Sequence, residues 1–305
     1  MRLRFVLVDV FADRPLAGNP LAVFPAADDI PEEKLQPIAR EMDHPATAFL
    51  LRPTLPGAAF RLRIFSRERE IAFAGHPALG AHFVHALETG RPGRAGGRVS
   101  HEGAEGLFEV EFAPEDGGVA RLRLRHRLPE FGPQLSDEDV AAVASALGIS
   151  EQDVQAANQP LRIVSTGLPV LIVPVATLES LFRARPRPGA LTELLEGREA
   201  ALVYAFTKET RDARAAAHAR AFDVDGSVEV PGAGAAAGAL AAYLVAEGAV
   251  PVAATTLLSI EQGHFVSRPS TLFAEVRTKD GEITDVIVGG RVILIGEGFL
   301  EVSIG

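Results

Sequence analysis

A chain of 305 residues with 47% apolar and 23% charged content suits two domains or one large one, and it can bury a sizeable core. Its net charge of −10 argues against a nucleic-acid partner, and no apolar run reaches the roughly 18 residues of a membrane span. With no cysteine there are no disulfides, no thiolate metal site and no thiol nucleophile, and the plain reading is a cytoplasmic enzyme.

The N-terminus has too short an apolar stretch for a secretory signal and reads as a strand from about Arg2 to Val10. Phe11 to Pro20 holds Pro, Gly and Asn and reads as a loop, followed by a short strand, Leu21 to Phe24. Pro31 to Glu41 has helical spacing, with Leu35, Ile38 and Ala39 on one face. Asp43 to Ala46 is a turn, Thr47 to Leu51 and Phe60 to Phe65 are strands, and Ala78 to Leu87 is helical. Gly90 to Gly97 reads as an exposed turn. Strands resume at Leu107 to Phe112 and Ala120 to Arg125, where alternation predicts one buried and one solvated face. Leu128 to Gln134 contains two prolines and reads as a linker.

Ser136 to Leu147 opens on Ser-Asp-Glu-Asp, a good helix start. Arg162 to Ser165 and Val170 to Val175 are strands, Thr177 to Phe182 and Ala190 to Leu195 are helical, and Ala201 to Phe206 and Ala219 to Asp223 are strands. Thr256 to Glu261, Thr271 to Arg277, Ile283 to Gly289 and Val292 to Phe299 are the late strands. Short strands with one long helix in each half give an α+β arrangement.

Two stretches stand out. Phe73-Ala74-Gly75-His76-Pro77-Ala78-Leu79-Gly80 joins strand to helix, with Pro77 suited to the first turn. Unpaired amides and the helix dipole favour an anion there, so His76 stands beside an expected carboxylate site. Pro231-Gly232-Ala233-Gly234-Ala235-Ala236-Ala237-Gly238 has a similar build in the second half. Two such junctions suggest a duplicated fold with a ligand between the halves.

Asp9-Val10-Phe11 with Gly18 to Phe24, Ile64-Phe65-Ser66 with Glu70 to Pro77, Ser165 to Pro169, and Glu261-Gln262-Gly263 with Arg268-Pro269-Ser270 follow one another along nearly the whole chain. In these segments the chain resembles the phenazine-biosynthesis PhzF-like family. The resemblance implies the fold of diaminopimelate epimerase: two similar α+β domains, each a mostly antiparallel sheet wrapped around a central helix, with the active-site cleft between them. It implies halves at residues 1–127 and 135–291, with the C-terminal strand 292–305 joining the first, and a homodimer. It also implies a cofactor-free and metal-free reaction. In the family a carboxylate moves a proton along the conjugated system of a hydroxylated dihydroanthranilate, and relatives in antibiotic pathways shift double bonds in other small unsaturated acids.

The departures fall on the chemistry. The family's glutamate lies in a segment like Asn-x-Ser-Glu-Thr, which here is Asp43-His44-Pro45-Ala46-Thr47, with Ala46 at the acid/base position. The second junction is usually Glu-Asp-Pro-Ala-Thr-Gly-Ser-Ala. Here it runs Glu229-Val230-Pro231-Gly232-Ala233-Gly234-Ala235-Ala236, so Val230, Ala233 and Ala235 replace aspartate, threonine and serine. His76 is then the first candidate for proton transfer, its pKa lowered by the helix dipole to give a neutral base. Asp43 or His44 could stand in for the glutamate; the bland reading is an exposed turn. Glu229 could assist, or only pair with a surface cation.

His264 could enter the cleft. Asn19 and Gln262 could hydrogen-bond substrate or merely fix loops. Arg268 could hold the substrate carboxylate or only the Glu261 region. Gly75, Ala46, Gly232, Ala233, Gly234 and Ala235 would line the substrate site, with a more apolar wall than in relatives. His82, His85, His101, His126 and His218 have no motif behind them and read as surface or core. The expected partner is a small carboxylic-acid substrate, with no nucleic acid and no membrane. The expected activity is a proton-shifting isomerase of secondary metabolism; the rival is an inactive paralogue that binds a small acid. Two-thiol racemisation is excluded by the missing cysteines, no spacing suggests zinc, and the glycines are not a dinucleotide fingerprint.

Overall fold

The computed structural model describes residues 1–71, 75–90, 96–114, 121–187 and 189–303. The chain forms two compact units, Met1–Leu124 with Gly289–Gly305, and Arg125–Val288. Among the described residues no helix is long and apolar enough to cross a membrane.

The first unit begins with strand β1 (Arg2–Val10), β2 (Asn19–Phe24), helix α1 (Glu32–Met42), β3 (Thr47–Leu51) and β4 (Phe60–Phe65). A short β5 (Glu70–Ile71) precedes α2 (Gly75–Thr89), and β6 (Gly97–Gly103), β7 (Gly106–Ala113) and β8 (Arg121–Arg125) follow. The last strand, β18 (Val292–Glu301), returns to pair antiparallel with β1. From β1 the pairings run antiparallel to β2, parallel to β3, antiparallel to β4, parallel to β6 and antiparallel to β7.

The alternation of Val6, Val8 and Val10 puts one face of β1 toward α2, which packs against β1, β2, β3, β4, β7 and β18. Gly80 sets the distance. A Cβ there would lie 2.3 Å from Leu21 Cδ2, so only glycine lets the helix seat this closely. On α1, Leu35, Ile38 and Ala39 pack into a cluster with Phe24, Phe49 and Phe65.

The second unit contains β9 (Glu130–Gln134), α3 (Asp137–Leu147), α4 (Glu151–Gln155), β10 (Arg162–Ser165), β11 (Pro169–Pro174), α5 (Leu178–Arg183), α6 (Ala190–Leu195), β12 (Leu202–Thr207) and β13 (Ala217–Asp223). A short β14 (Glu229–Val230) precedes α7 (Gly234–Ala246), then β15 (Thr255–Gln262), β16 (Ser270–Lys279) and β17 (Glu282–Gly290). Ser136 and Ser150 close reciprocal capping boxes on α3 and α4. From β10 the pairings run antiparallel to β11, parallel to β12, antiparallel to β13, parallel to β15 and antiparallel to β16. This is the order found in the first unit. The short strand before each long helix also pairs the same way, β5 on β4 and β14 on β13.

α7 is apolar on every side, as a helix enclosed by its sheet must be. It packs against β10, β11, β12, β15 and β16. Gly238 plays the part of Gly80: a Cβ there would come within 2.5 Å of His126 Nδ1.

The α+β architecture of two similar halves around central helices is therefore present. Some local expectations change. Leu128 to Gln134 is not an open linker, because Glu130–Gln134 is strand β9, paired with β10. Asn19 and Pro20 belong to β2 rather than to the preceding loop. Most of the expected turn from Gly90 to Gly97 lies outside the described residues, as do Phe73 and Ala74 of the first junction.

Candidate functional site

In the first unit the site is built where α2 begins. Gly75 is its first residue, His76 its second and Pro77 its third. Asn19 reaches the same place from the start of β2, fully buried. The loop before it is tightly wound. Phe11 and Leu16 have φ of 62° and 64°, and Asp9 Oδ2 accepts the Leu16 N–H at 2.8 Å. Gly18 follows at φ 67°, where a Cβ would strike Val10 O at 2.3 Å. Non-glycine residues in the left-handed region store local strain, which the surrounding β1–β2 ladder must hold. Asn19 is the product of that winding, locked opposite Val10 in the β1–β2 register.

Asn19 Nδ2 lies 3.4 Å from His76 Nδ1. An amide nitrogen can only donate, so Nδ1 accepts and the ring proton sits on Nε2. That Nε2 is itself buried and has no hydrogen-bond partner among the described residues. Burial pushes His76 down to about 3, so it is neutral at physiological pH. Two details differ from expectation. The cause is desolvation rather than the helix dipole, and in this tautomer the unpartnered nitrogen donates rather than accepts.

The residues expected as possible stand-ins for the family's glutamate lie in the turn between α1 and β3. Asp43 caps the C-terminus of α1 in the left-handed conformation and ion-pairs with Arg67 at 2.8 Å, both side chains more than half exposed. A solvated, paired carboxylate is not tuned for proton transfer, so Asp43 is set aside. His44 lies half-buried in the same turn. Ala46 is buried immediately before β3 and supplies only a methyl group.

In the second unit the start of α7 is held by a lattice of buried amides. Gln262 Nε2 donates to Val230 O at 2.6 Å, and its Oε1 accepts from Tyr204 OH at 2.8 Å and from Ala233 N at 3.2 Å. From the sequence, Gln262 could either meet substrate or fix the loop. It is committed on both amide atoms to fixing the loop, and no surface of it is exposed. Gly263 has φ 75° and lies so close to Pro231 O that a Cβ would approach within 2.6 Å. Thus Gly232 and Ala233 are pinned from two sides, and Gly234, Ala235 and Ala236 form a first turn without a side-chain cap.

Glu229, left open between assisting catalysis and pairing with a surface cation, pairs with a cation, but a buried one. Its carboxylate takes Arg220 Nη2 at 2.7 Å and Nε at 3.2 Å in a forked, buried pair. That arginine completes its bonding on the carbonyls of Leu181 and Ala184. Arg268 is half-buried, with its backbone N–H on Gly263 O at 3.0 Å. His264 is half-buried at the start of a short 3-10 turn, and its Nδ1 is buried without a partner among the described residues.

One histidine read from the sequence only as surface or core has a specific partner. His218 is fully buried, with Nδ1 2.9 Å from Glu261 Oε2. Only the pairing of β13 with β15 brings the two together, 43 residues apart. Local motifs carry no signal of such a contact.

The chain matches the PhzC-PhzF family, described as phenazine biosynthesis-like protein, over residues 8–298. It is 33% identical over 301 residues to an uncharacterised isomerase of Mesorhizobium japonicum, covering 97% of this chain and 98% of that one. It is 31% identical over 294 residues to the trans-2,3-dihydro-3-hydroxyanthranilate isomerase of Pseudomonas fluorescens, covering 96% and 98%. The solved structure of a predicted epimerase from Pseudomonas aeruginosa superposes with a TM-score of 0.83 at 34% identity, over 99% of this chain and all of the other. On fold, motifs and these matches together, the chain belongs to the phenazine biosynthesis-like family, which includes relatives named as isomerases.

Proposed function

We propose that this protein is a cofactor-independent isomerase that moves a proton, and with it a double bond, in a small unsaturated carboxylic acid. The observation that carries the reading is His76. Its Nε2 is buried and unpartnered at the first turn of α2, while Nδ1 is tied to Asn19. The helix start supplies amides and a dipole for an anion, and a bound carboxylate raises the basicity of the adjacent imidazole.

For Nε2 to take a proton from carbon, the ring proton must move to Nδ1. Asn19 must then turn its amide, so that Oδ1 accepts the Nδ1–H. Asn19 therefore sets the tautomer, and His76 handles the proton. Taken by itself, the start of α7 in the second unit offers backbone amides beside Val230, Ala233 and Ala235, where the family pattern has aspartate, threonine and serine, a lining suited to an acid with a hydrocarbon part.

A second reading, a small-acid-binding paralogue without catalysis, is favoured by Ala46 and by the Nε2–H tautomer. Proton NMR of candidate dienoic acids in deuterated water separates the two. Under the isomerase reading the wild type incorporates deuterium and His76→Ala loses the rate by about 100-fold or more. Wild-type binding without incorporation supports the second reading, and an unchanged rate in His76→Ala removes His76 from the mechanism. Ala46→Glu tests the inherited frame, with a gain of turnover expected on trans-2,3-dihydro-3-hydroxyanthranilate.

A further inference from the structure

The two units close their first hairpin differently, and the second shows how little chain the fold needs there. β10 turns into β11 through residues 166–168, with Ser165 paired to Pro169 and the positive φ placed on Gly167. β1 turns into β2 through residues 11–18, with Val10 paired to Asn19. The longer loop is strained. Phe11 and Leu16 hold φ of 62° and 64°, which residues bearing a Cβ adopt only where their surroundings impose it. Leu16 also leaves 71% of its surface in water. Closing the hairpin does not demand this, since the second unit does without it.

The loop is held at three points, all within the first unit. Phe11 is fully buried in space that Gly290 leaves open, where a Cβ would lie 2.5 Å from Phe11 Cδ1. Ala12 N–H donates to Arg291 O at 3.3 Å, and Arg291 ion-pairs with Asp13 at 3.3 Å. The third point is Asp9, 3% exposed, whose Oδ2 accepts the Leu16 N–H at 2.8 Å. Burying a carboxylate is costly unless hydrogen bonds replace the lost water. Strand geometry says where this one acts. Val8 and Val10 point at α2, 3.2 and 3.3 Å from a Cβ built on Gly80, so Asp9 between them points to the other face of β1. Asn19, opposite Val10, shares the α2 face and reaches His76 Nδ1 at 3.4 Å. The loop thus crosses from one face of β1 to the other. Asp9 fixes it on the far face, and Gly18 lets it return, at φ 67° and hard against Val10 O.

We propose that Asp9 is a positioning residue for the proton-transfer histidine: by holding the Leu16 N–H it keeps the loop wound, and the wound loop aims the Asn19 amide at His76. The proposal deepens the isomerase reading and rests on it for any effect on rate. The tie from Asp9 through the loop to residue 19 and His76 belongs to the resting protein. Asp9 acts only through the orientation of Asn19, from the face of β1 turned away from α2.

The test breaks the tie at its exposed end. Leu16→Pro removes both the N–H and the left-handed φ, and leaves Asp9 in place. A carboxylate at position 19, in Asn19→Asp, favours the His76 imidazolium and raises its midpoint by about 2 pH units. Histidine-ring NMR of the full chain should show that rise reduced to less than about 1 unit when Leu16→Pro is added. Leu16→Gly, which keeps the N–H and suits the φ, should keep the full rise. With a turned-over dienoic acid, Leu16→Pro should lower kcat about tenfold with KM nearly unchanged. Combined with Asn19→Ala it should be no worse than Asn19→Ala alone. Asp9→Ala breaks the same bond at its buried end and should repeat both losses; where it does not fold, Leu16→Pro decides. A full rise in the Leu16→Pro background, or a rate loss that adds to that of Asn19→Ala, overturns the proposal. If no candidate acid is turned over, the isomerase reading is what fails, and the midpoints still decide the part of Asp9. If His76→Ala abolishes turnover while Leu16→Pro keeps both the rise and the rate, the positioning role fails and the isomerase reading stands.

Discussion

The two strand-to-helix junctions are built on one plan down to individual side chains. In the first unit Arg63 on β4 forks onto Glu70 on β5, at 2.7 and 2.8 Å, with its guanidinium 5.2 Å from the Phe65 ring. In the second, Arg220 on β13 forks onto Glu229 on β14 and lies 4.8 Å from the Phe222 ring. The registers agree: Glu70 faces Phe65 and Glu229 faces Phe222, with the arginine two residues before the phenylalanine in each. The staple delivers the chain to the helix start in the same way twice. What stands at the helix start differs. The first unit presents the unsatisfied imidazole of His76; the second presents Ala235 at the same helix position, beside amides locked by Gln262. The duplication conserves the frame, and the chemistry lies in what each half adds to it.

The largest test of this contrast is acid. Burial holds His76 and His82 down at about 3 and His101 at about 4 in the first unit, and His126 at about 4 in the second. A histidine of ordinary pKa in the unfolded chain binds its proton from about pH 6.5 downward, while the folded one does not until pH 3 to 4. The stabilising effect is whole above pH 6.5 and is lost as pH falls through that window. Each histidine costs up to about 1.4 kcal/mol per pH unit, so the three of the first unit together cost about 4 kcal/mol per pH unit at most. Both tyrosines, Tyr204 and Tyr243, lie in the second unit. At pH 5, urea unfolding followed by circular dichroism should therefore begin before unfolding followed by tyrosine fluorescence. Coincident curves at pH 5 would show that the halves do not differ in acid sensitivity.

The staples come next. Arg220→Met leaves Glu229 charged and buried, at about 3–5 kcal/mol. Arg63→Met leaves Glu70, whose side chain is 44% exposed, to water and costs about 1 kcal/mol or less. Equal losses in urea midpoints would mean that burial does not distinguish the two pairs. A smaller effect is expected from Asn19→Asp. The new carboxylate accepts from Nδ1–H and favours the imidazolium, raising the His76 midpoint by about 2 pH units. An unmoved midpoint would break the assignment of Asn19 as the group that sets the tautomer.

Much of this frame was legible in the sequence. Strand alternation, the proline and glycines of the junctions, and the Ser-x-x-Asp start of α3 act locally and appear where their chemistry predicts, while the same start at Ser150 went unread. The candidate site was half legible. His76 was singled out because it lies within a motif, but its tie to Asn19 spans 57 residues and depends on the β1–β2 register. For Gln262 and Glu229 the sequence left a site role and a structural one both open. A polar residue in a motif looks available until its partners are seen, here Tyr204, 58 residues away, and Arg220, on the neighbouring strand. His218 had no local signal at all, since its carboxylate comes from a strand paired in parallel.

The smallest expected effect makes the sharpest control. Asp43 lies three residues before Ala46, so sequence distance alone makes it the natural stand-in for the glutamate that the family resemblance implies there. The structure turns it outward, as a C-cap paired with Arg67 in solvent. Water screens such a pair, so Asp43→Asn should change stability by less than about 0.5 kcal/mol. It should also leave deuterium incorporation at the wild-type rate, because a side chain facing water cannot exchange protons with a substrate held at α2. A large loss of incorporation with unchanged stability would reverse the assignment. It would mean that the α1–β3 turn reorganises around substrate and brings a carboxylate back to the position Ala46 vacated, leaving His76 to hydrogen-bond the acid rather than to move its proton.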